Sequence, residues 1–334
     1  MKEALFYKKL KNKIVQCFLC PNFCVIKENE LGKCLARKNI RGKLISLSYE
    51  RPVAISIDPI EKKPLYHFLP GTKTFSIGTV GCTLKCLFCQ NAEIAQKSPE
   101  DFPVNIIKPK KIVKMAKENN CKSISYTYTE PTAFYEYVLD TAKLAKKQGI
   151  KNIIISNGYI NEKPLKELIK YLDAANIDLK GFTEEFYKKN CLGKLKPVLN
   201  TLKILKKNKV WLEITNLIIP KLNDNLKEID RMTKWIKTNL GVNVPLHFSR
   251  FFPMHKMLNK PETPKKTLES AYKIAKKNGL RYIYLGNIKN EHENTYCYKC
   301  SKILIERYGY SIIKNNIKHN YCYNCNAKIQ GIFD

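Results

Sequence analysis

The stretch "GCTLKCLFCQN" at positions 81–91 holds Cys82, Cys86 and Cys89 within eight positions, with no fourth cysteine close by. A structural zinc site takes four protein ligands, and so do most iron–sulfur sites. Three thiolates on a cubane [4Fe–4S] cluster leave one iron without a protein ligand, and that iron is free to chelate a small molecule. The incomplete set therefore reads as a cluster with a built-in binding position. A zinc site completed by a distant residue is the competing reading, and the spacing together with the preceding strand weighs against it.

Two further cysteine groups flank this one. Cys17, Cys20, Cys24 and Cys34 follow the pattern Cys-x2-Cys-x3-Cys-x9-Cys, whose four thiolates suffice for zinc or for a second, electron-relaying [4Fe–4S] cluster. Zinc is the preferred reading there, because compact four-cysteine knuckles at a terminus are usually structural. Cys297, Cys300, Cys322 and Cys325 form two Cys-x2-Cys knuckles 21 residues apart, which is the spacing of a zinc ribbon, with a rubredoxin-like iron as the lesser reading. Cys121 and Cys191 stand alone and read as small buried hydrophobes.

The rest of the composition bounds the function. Thirteen cysteines in a chain whose first residues lack an apolar signal core point to metals rather than disulfides, and to a cytosolic protein. The longest apolar runs, such as "NIIIS" at 152–156, are too short to span a bilayer, so no membrane role is expected. Sixty Lys and Arg against 29 Asp and Glu give a formal charge of +31. The lysines are dispersed along helix faces, as in "AYKIAKKNG", and form no basic block. A solvated basic surface is favoured over RNA binding.

These residues need a scaffold to bring them together. From about residue 71, short β-rich runs alternate with amphipathic stretches. "TFSIGTV" (74–80) precedes the three-cysteine motif, and "SISYTY" (123–128) precedes a helix with Phe134, Val138, Thr141 and Ala145 at helical spacing. "NIIIS", "AANIDLK", "WLEITNLII" (211–219), "PLHFSRF" and "RYIYLGN" (281–287) continue the alternation, for seven strand-like runs in all. That pattern predicts an α/β fold, an open parallel β/α barrel, with chemistry on the loops after the strands. Residues 71–290 form this barrel domain. Residues 1–70 and 291–334 read as small cysteine-rich metal-binding modules. The polar "IKNEHEN" before the last module makes it separable from the chemistry.

Cys-x3-Cys-x2-Cys after the first barrel strand resembles the radical S-adenosylmethionine (SAM) superfamily. The resemblance implies that SAM chelates the open iron of the cluster. It also implies that one electron from the reduced cluster cleaves the sulfonium to methionine and a 5′-deoxyadenosyl radical. Phe88 matches the aromatic position beside the adenine. Glu130 in "SYTYTEP" stands where relatives end a Gly-Gly-Glu, although the glycines are absent. Asn157 in "ISNGY" resembles the Asn-Gly of glycyl-radical-enzyme activases, and Asp178 and Lys180 in "NIDLKGF" resemble their Asp-x-Lys. Positions i and i+2 at a strand end share a face, so the last two side chains can enter one cavity.

"DPIEKKPLYHFLPG", "SYTYTEPTAFYEY", "DAANIDLKGF", "PLHFSRFFP" and "ENTYCYKC" resemble more specifically the AmmeMemoRadiSam-system branch, which is similar to pyruvate formate-lyase activating enzymes. That branch name implies association with Ammecr-type or Memo-type proteins, and the chemistry implies an electron donor such as ferredoxin or flavodoxin. The expected activity is activation of a protein or modification of a small molecule. The alternatives are a radical SAM RNA-modifying enzyme and a zinc-dependent nucleic-acid- or protein-binding adaptor on an α/β scaffold. Arg250 is expected to contact substrate before His247, because a guanidinium suits an anionic group. Glu213 and Asn216 are expected to face a ribose, and Asp58, Glu61 and His67 to brace the site.

Overall fold

The computed structural model describes residues 2–288 and 291–333. Its main sheet has seven parallel strands whose order in space follows their order in the chain: Lys73–Gly78, Ser123–Tyr126, Lys151–Ser156, Ala174–Asp178, Trp211–Ile218, Leu246–Arg250 and Ile283–Gly286. Sequential order with a helix between neighbours curls a sheet toward a barrel. The two edges do not pair, so this barrel stays open. An eighth strand, Ala54–Pro59, runs antiparallel on the first edge, against Lys73–Gly78. It was not among the strand-like runs of the sequence, because its alternation buries only one residue fully.

The helices cover the outer face through apolar stripes. Helix Pro109–Glu118 buries Ile112, Val113 and Ala116 while its lysines face water. Full burial of each Val or Ile side chain contributes about 1.5–3 kcal/mol. Helices Tyr135–Lys147, Leu195–Lys207, Leu226–Leu240 and Lys265–Lys277 repeat the device. The inner face is more polar, and its groups satisfy each other across strands. Thr74 Oγ1 lies 2.7 Å from Ser125 Oγ, and Thr215 donates to Asn176 Oδ1 at 2.9 Å. Among the described residues no helix is long and apolar enough to cross a membrane.

The N-terminal segment folds into two small three-stranded antiparallel sheets: Lys2–Glu3, Lys43–Ser46 and Arg37–Ile40, and Tyr7–Lys9, Val15–Cys17 and Val25–Ile26. The C-terminal segment is a hairpin, Ile303–Tyr308 with Ser311–Asn315, between its two cysteine knuckles. Separability of this ribbon does not follow from its structure. Arg307 donates to the Tyr66 carbonyl at 2.8 Å, and Ile332 exchanges backbone bonds with His67 and Leu69 at 2.8 and 2.6 Å. A polar connector says nothing about what the elements after it pack on.

Candidate active site

The C-terminal ends of the strands surround a cavity of about 720 Å³. Its lining brings together residues distant in sequence: Cys82, Cys86, Phe88 and Cys89 from the first loop, Glu130 and Asn157 from the next two, and Asp178 with Lys180 from the fourth. Each follows a different parallel strand, so the sheet's order converts four separate motifs into one wall.

The sulfurs differ in spacing between the three sets. Among the described residues, only Cys297, Cys300, Cys322 and Cys325 bring three or more ligand atoms within 4.8 Å of one another. Their sulfurs pair at 3.6 Å (Cys297–Cys325) and 3.7 Å (Cys300–Cys322). A zinc–thiolate bond near 2.3 Å puts tetrahedral sulfurs about 3.8 Å apart, so the ribbon fits one tetrahedral ion. The trio Cys82, Cys86 and Cys89 is more open. Such spread fits a cubane, whose own iron and sulfide atoms lie between the thiolates. Two protein groups are already aimed at the trio: Asn157 Nδ2 lies 3.6 Å from Cys82 Sγ, and Gln96 Nε2 donates to the Cys86 carbonyl at 3.0 Å.

Lys180 Nζ bonds Asp178 Oδ2 at 3.0 Å and stands 5.8 Å from the Phe88 ring centroid. Burial pulls the Lys180 pKa down, but the Asp178 carboxylate and the nearby thiols of Cys86 and Cys191 hold it well above the ordinary lysine value. Cys191 is fully buried, and its thiol lies against Cys86, a proximity that separation in sequence concealed.

Glu130 is buried, and its carboxylate accepts four bonds: from Thr132 N (3.0 Å), Thr132 Oγ1 (2.7 Å), Ser156 Oγ (2.8 Å) and Asn157 N (2.8 Å). Burial raises its pKa despite these donors. The carboxylate thereby ties the second loop to the third. The turn that lacks glycine closes through Thr129 N, which donates to the Thr127 carbonyl at 2.8 Å, with Tyr128 at φ 66°. A left-handed tyrosine is strained, and its hydroxyl is anchored to Asp58 at 2.7 Å.

The remaining residues divide by strand register. His247 and Ser249 line the cavity, two positions apart on one face, whereas Arg250 points away and pairs with Glu262 at 2.6 Å. The expected order of Arg250 before His247 is thus reversed. Glu213 does not line the cavity. It accepts from Tyr66 N, His67 N, Trp211 Nε1 and His247 Nε2, so no lone pair is left for a ribose. Asn216 donates to the Leu179 carbonyl at 2.6 Å. Asp58 braces: burial raises its pKa, yet Lys63 at 2.6 Å and Tyr128 hold the carboxyl well below the usual range. His67 also braces, between the Gln330 carbonyl (2.7 Å) and the Tyr284 hydroxyl (2.6 Å). Glu61 does more than brace. It lines the cavity with Oε2 buried and without a partner among the described residues, while Oε1 accepts from Gly71. Glu293, Gly309 and Tyr310 of the C-terminal segment complete the rim, which no local pattern could announce.

Comparison with known proteins agrees with this geometry. Residues 76–236 match the model of the Radical SAM superfamily. The chain is 48% identical over 309 residues to the uncharacterized protein MJ0808 of Methanocaldococcus jannaschii, covering 92% of each. It is 27% identical over 174 residues to a pyruvate formate-lyase-activating enzyme of Clostridium pasteurianum, covering 50% of this chain and 71% of that one. In fold it resembles Streptococcus suis SuiB, with a TM-score of 0.52 at 15% identity over 69% of this chain and 51% of SuiB. With an open barrel and a three-cysteine loop at its mouth, the matched residues 76–236 are a radical SAM superfamily domain.

Proposed function

We propose that this protein is a cytosolic radical SAM enzyme of the activating-enzyme type, whose [4Fe–4S] cluster is held by Cys82, Cys86 and Cys89. One observation carries the reading: the three thiols, Phe88, Glu130, Asn157 and the Asp178–Lys180 pair line one cavity. When bound, the cluster supplies one electron to the SAM sulfonium, which yields methionine and a 5′-deoxyadenosyl radical. Lys180 and Asp178 present opposite charges toward the carboxylate and amino groups of SAM, and Phe88 offers an apolar face for the adenine. Asn157 gives a hydrogen bond to the Cys82 sulfur. Glu130 holds the Asn157 loop in register.

The substrate is a protein loop or a small molecule rather than RNA, since the basic residues are dispersed. Glu61, whose Oε2 has no partner among the described residues, and His247 are among the cavity groups that face it. The likeness to an activating enzyme supports a protein substrate. The quoted motifs support the AmmeMemoRadiSam-system branch as the reading, with Ammecr-type or Memo-type proteins as the proposed partners and a ferredoxin or flavodoxin as the proposed electron donor. The ribbon cysteines hold zinc.

The test is anaerobic reconstitution, followed by dithionite and SAM. Release of 5′-deoxyadenosine that disappears in Cys86→Ala supports the reading. Colourless protein that binds only zinc after reconstitution overturns it, and leaves the adaptor class.

A further inference from the structure

We infer that Cys17, Cys20, Cys24 and Cys34 hold a second [4Fe–4S] cluster, and that this cluster hands electrons to the one at Cys82, Cys86 and Cys89. The sequence alone favoured zinc there. The structure separates the two possibilities by spacing, because these four thiols line one pocket but do not gather within 4.8 Å as the ribbon thiols do. A single tetrahedral ion needs sulfurs about 3.8 Å apart. A cubane needs them wider, and among the described residues neither the N-terminal set nor the barrel trio gathers within 4.8 Å.

The surroundings are made for an anionic inorganic core. Arg37 lines the pocket, is almost fully buried, and points Nη1 at Cys17 Sγ over 3.7 Å. Its other terminal nitrogen bonds the buried Glu136, while Nε has no partner among the described residues. The Lys33 backbone N–H is directed at Cys24 Sγ at 3.4 Å. Hydrogen bonds to the sulfurs tune iron–sulfur clusters, and a closed zinc shell has less need of a buried guanidinium.

The two cysteine loops are in direct contact. The Cys82 N–H donates to the Cys34 carbonyl at 3.1 Å, and Asn22 Nδ2 donates to the Thr83 carbonyl at 2.8 Å. A Cβ on Gly81 would stand 2.6 Å from the Cys34 oxygen, and Gly81 has φ +105°, so only glycine permits this approach. Lys85, on the same loop as Cys82 and Cys86, has its Nζ buried with no hydrogen-bond partner among the described residues. A single hydrogen bond joins a ligand of one site to a ligand of the other.

In the proposed step the reduced N-terminal cluster gives up one electron and returns to its oxidised state, and the barrel cluster gains that electron. A low-potential one-electron carrier protein of the flavodoxin or ferredoxin class then restores the first. The relay rests on the proposed function, whereas the presence of the second cluster does not.

The experiment reconstitutes the full chain anaerobically with iron and sulfide, then measures iron and zinc by mass spectrometry and reduced spins by electron paramagnetic resonance. Wild type should hold roughly eight irons and about one zinc per chain, four irons per cubane. The Cys82→Ala, Cys86→Ala, Cys89→Ala triple variant should keep roughly four irons and a reduced-cluster signal. If this variant, folded by circular dichroism, holds about two zincs and no iron, the inference is overturned. A wild type with no more iron than the triple variant would instead sink the proposed function and leave the N-terminal cluster standing. Cys20→Ser with Cys24→Ser should leave the barrel cluster reducible by dithionite but slow its reduction by flavodoxin at least tenfold. An unchanged flavodoxin rate overturns the relay.

Discussion

Lys180 Nζ stands 3.0 Å from Asp178 Oδ2 and 5.8 Å from the Phe88 ring, so one ammonium joins the fourth barrel loop to the cysteine loop. Lys180→Met should keep the iron but raise the KM for SAM about ten- to hundred-fold, because a hydrogen bond to a charged group contributes about 1.5–3 kcal/mol. Release of 5′-deoxyadenosine against SAM concentration measures it. An unchanged KM would place the SAM carboxylate elsewhere.

Asn157→Ala removes the N–H aimed at Cys82 Sγ. Such a bond favours the reduced, more negative cluster, so its loss should lower the midpoint potential. A bond of about 1 kcal/mol corresponds to about 40 mV for one electron. Redox titration followed by electron paramagnetic resonance reads the shift, and a rise in potential contradicts the assignment.

His67 is buried, and burial depresses its pKa to about 4 from an ordinary 6.5. Between those values the unfolded chain binds a proton that the folded chain refuses. Stability is therefore intact above pH 6.5 and falls as pH drops toward 4, by on the order of 3 kcal/mol. His67→Gln should flatten this part of the dependence while lowering stability at pH 7, where its bonds to Gln330 and Tyr284 are lost. Urea melts at pH 7 and pH 5 compare the two proteins. An equal slope in both would remove His67 as the cause.

The ribbon knuckles hold their sulfurs at tetrahedral spacing, so Cys322→Ser with Cys325→Ser should release one zinc and lower the Tm. SAM cleavage should persist, since none of the barrel thiols is touched. Because Glu293, Gly309 and Tyr310 form part of the rim, turnover of the true substrate should fall far more than substrate-free cleavage. Equal loss of both would show the ribbon to be scaffold only.

Much of this was legible because the decisive signals are local. Cysteine spacing, strand–helix alternation and the i, i+2 relation of Asp178 and Lys180 all sit within a few residues of sequence. What stayed hidden depends on packing between distant segments. Arg250 and His247 differ by three positions and therefore by strand face, and only the register shows which one turns inward. Glu213 looked like a free carboxylate until its four donors, from Tyr66 to His247, were in place. The contact of Cys34 with Cys82 forms only in the folded chain, across 48 positions of sequence. Zinc and cubane differ by spacing between sulfurs, which a string of letters does not carry.

The two edges of the sheet never meet, and what stands beside the cavity there is the segment from Glu61 to Tyr66 together with the C-terminal hairpin. This wall comes from two ends of the chain, tied by Arg307 to the Tyr66 carbonyl and by backbone bonds of Ile332 to His67 and Leu69. The breadth of the cavity mouth is thus set by segments outside the parallel ladder, and a change in the ribbon would alter the mouth while the strands keep their pairing.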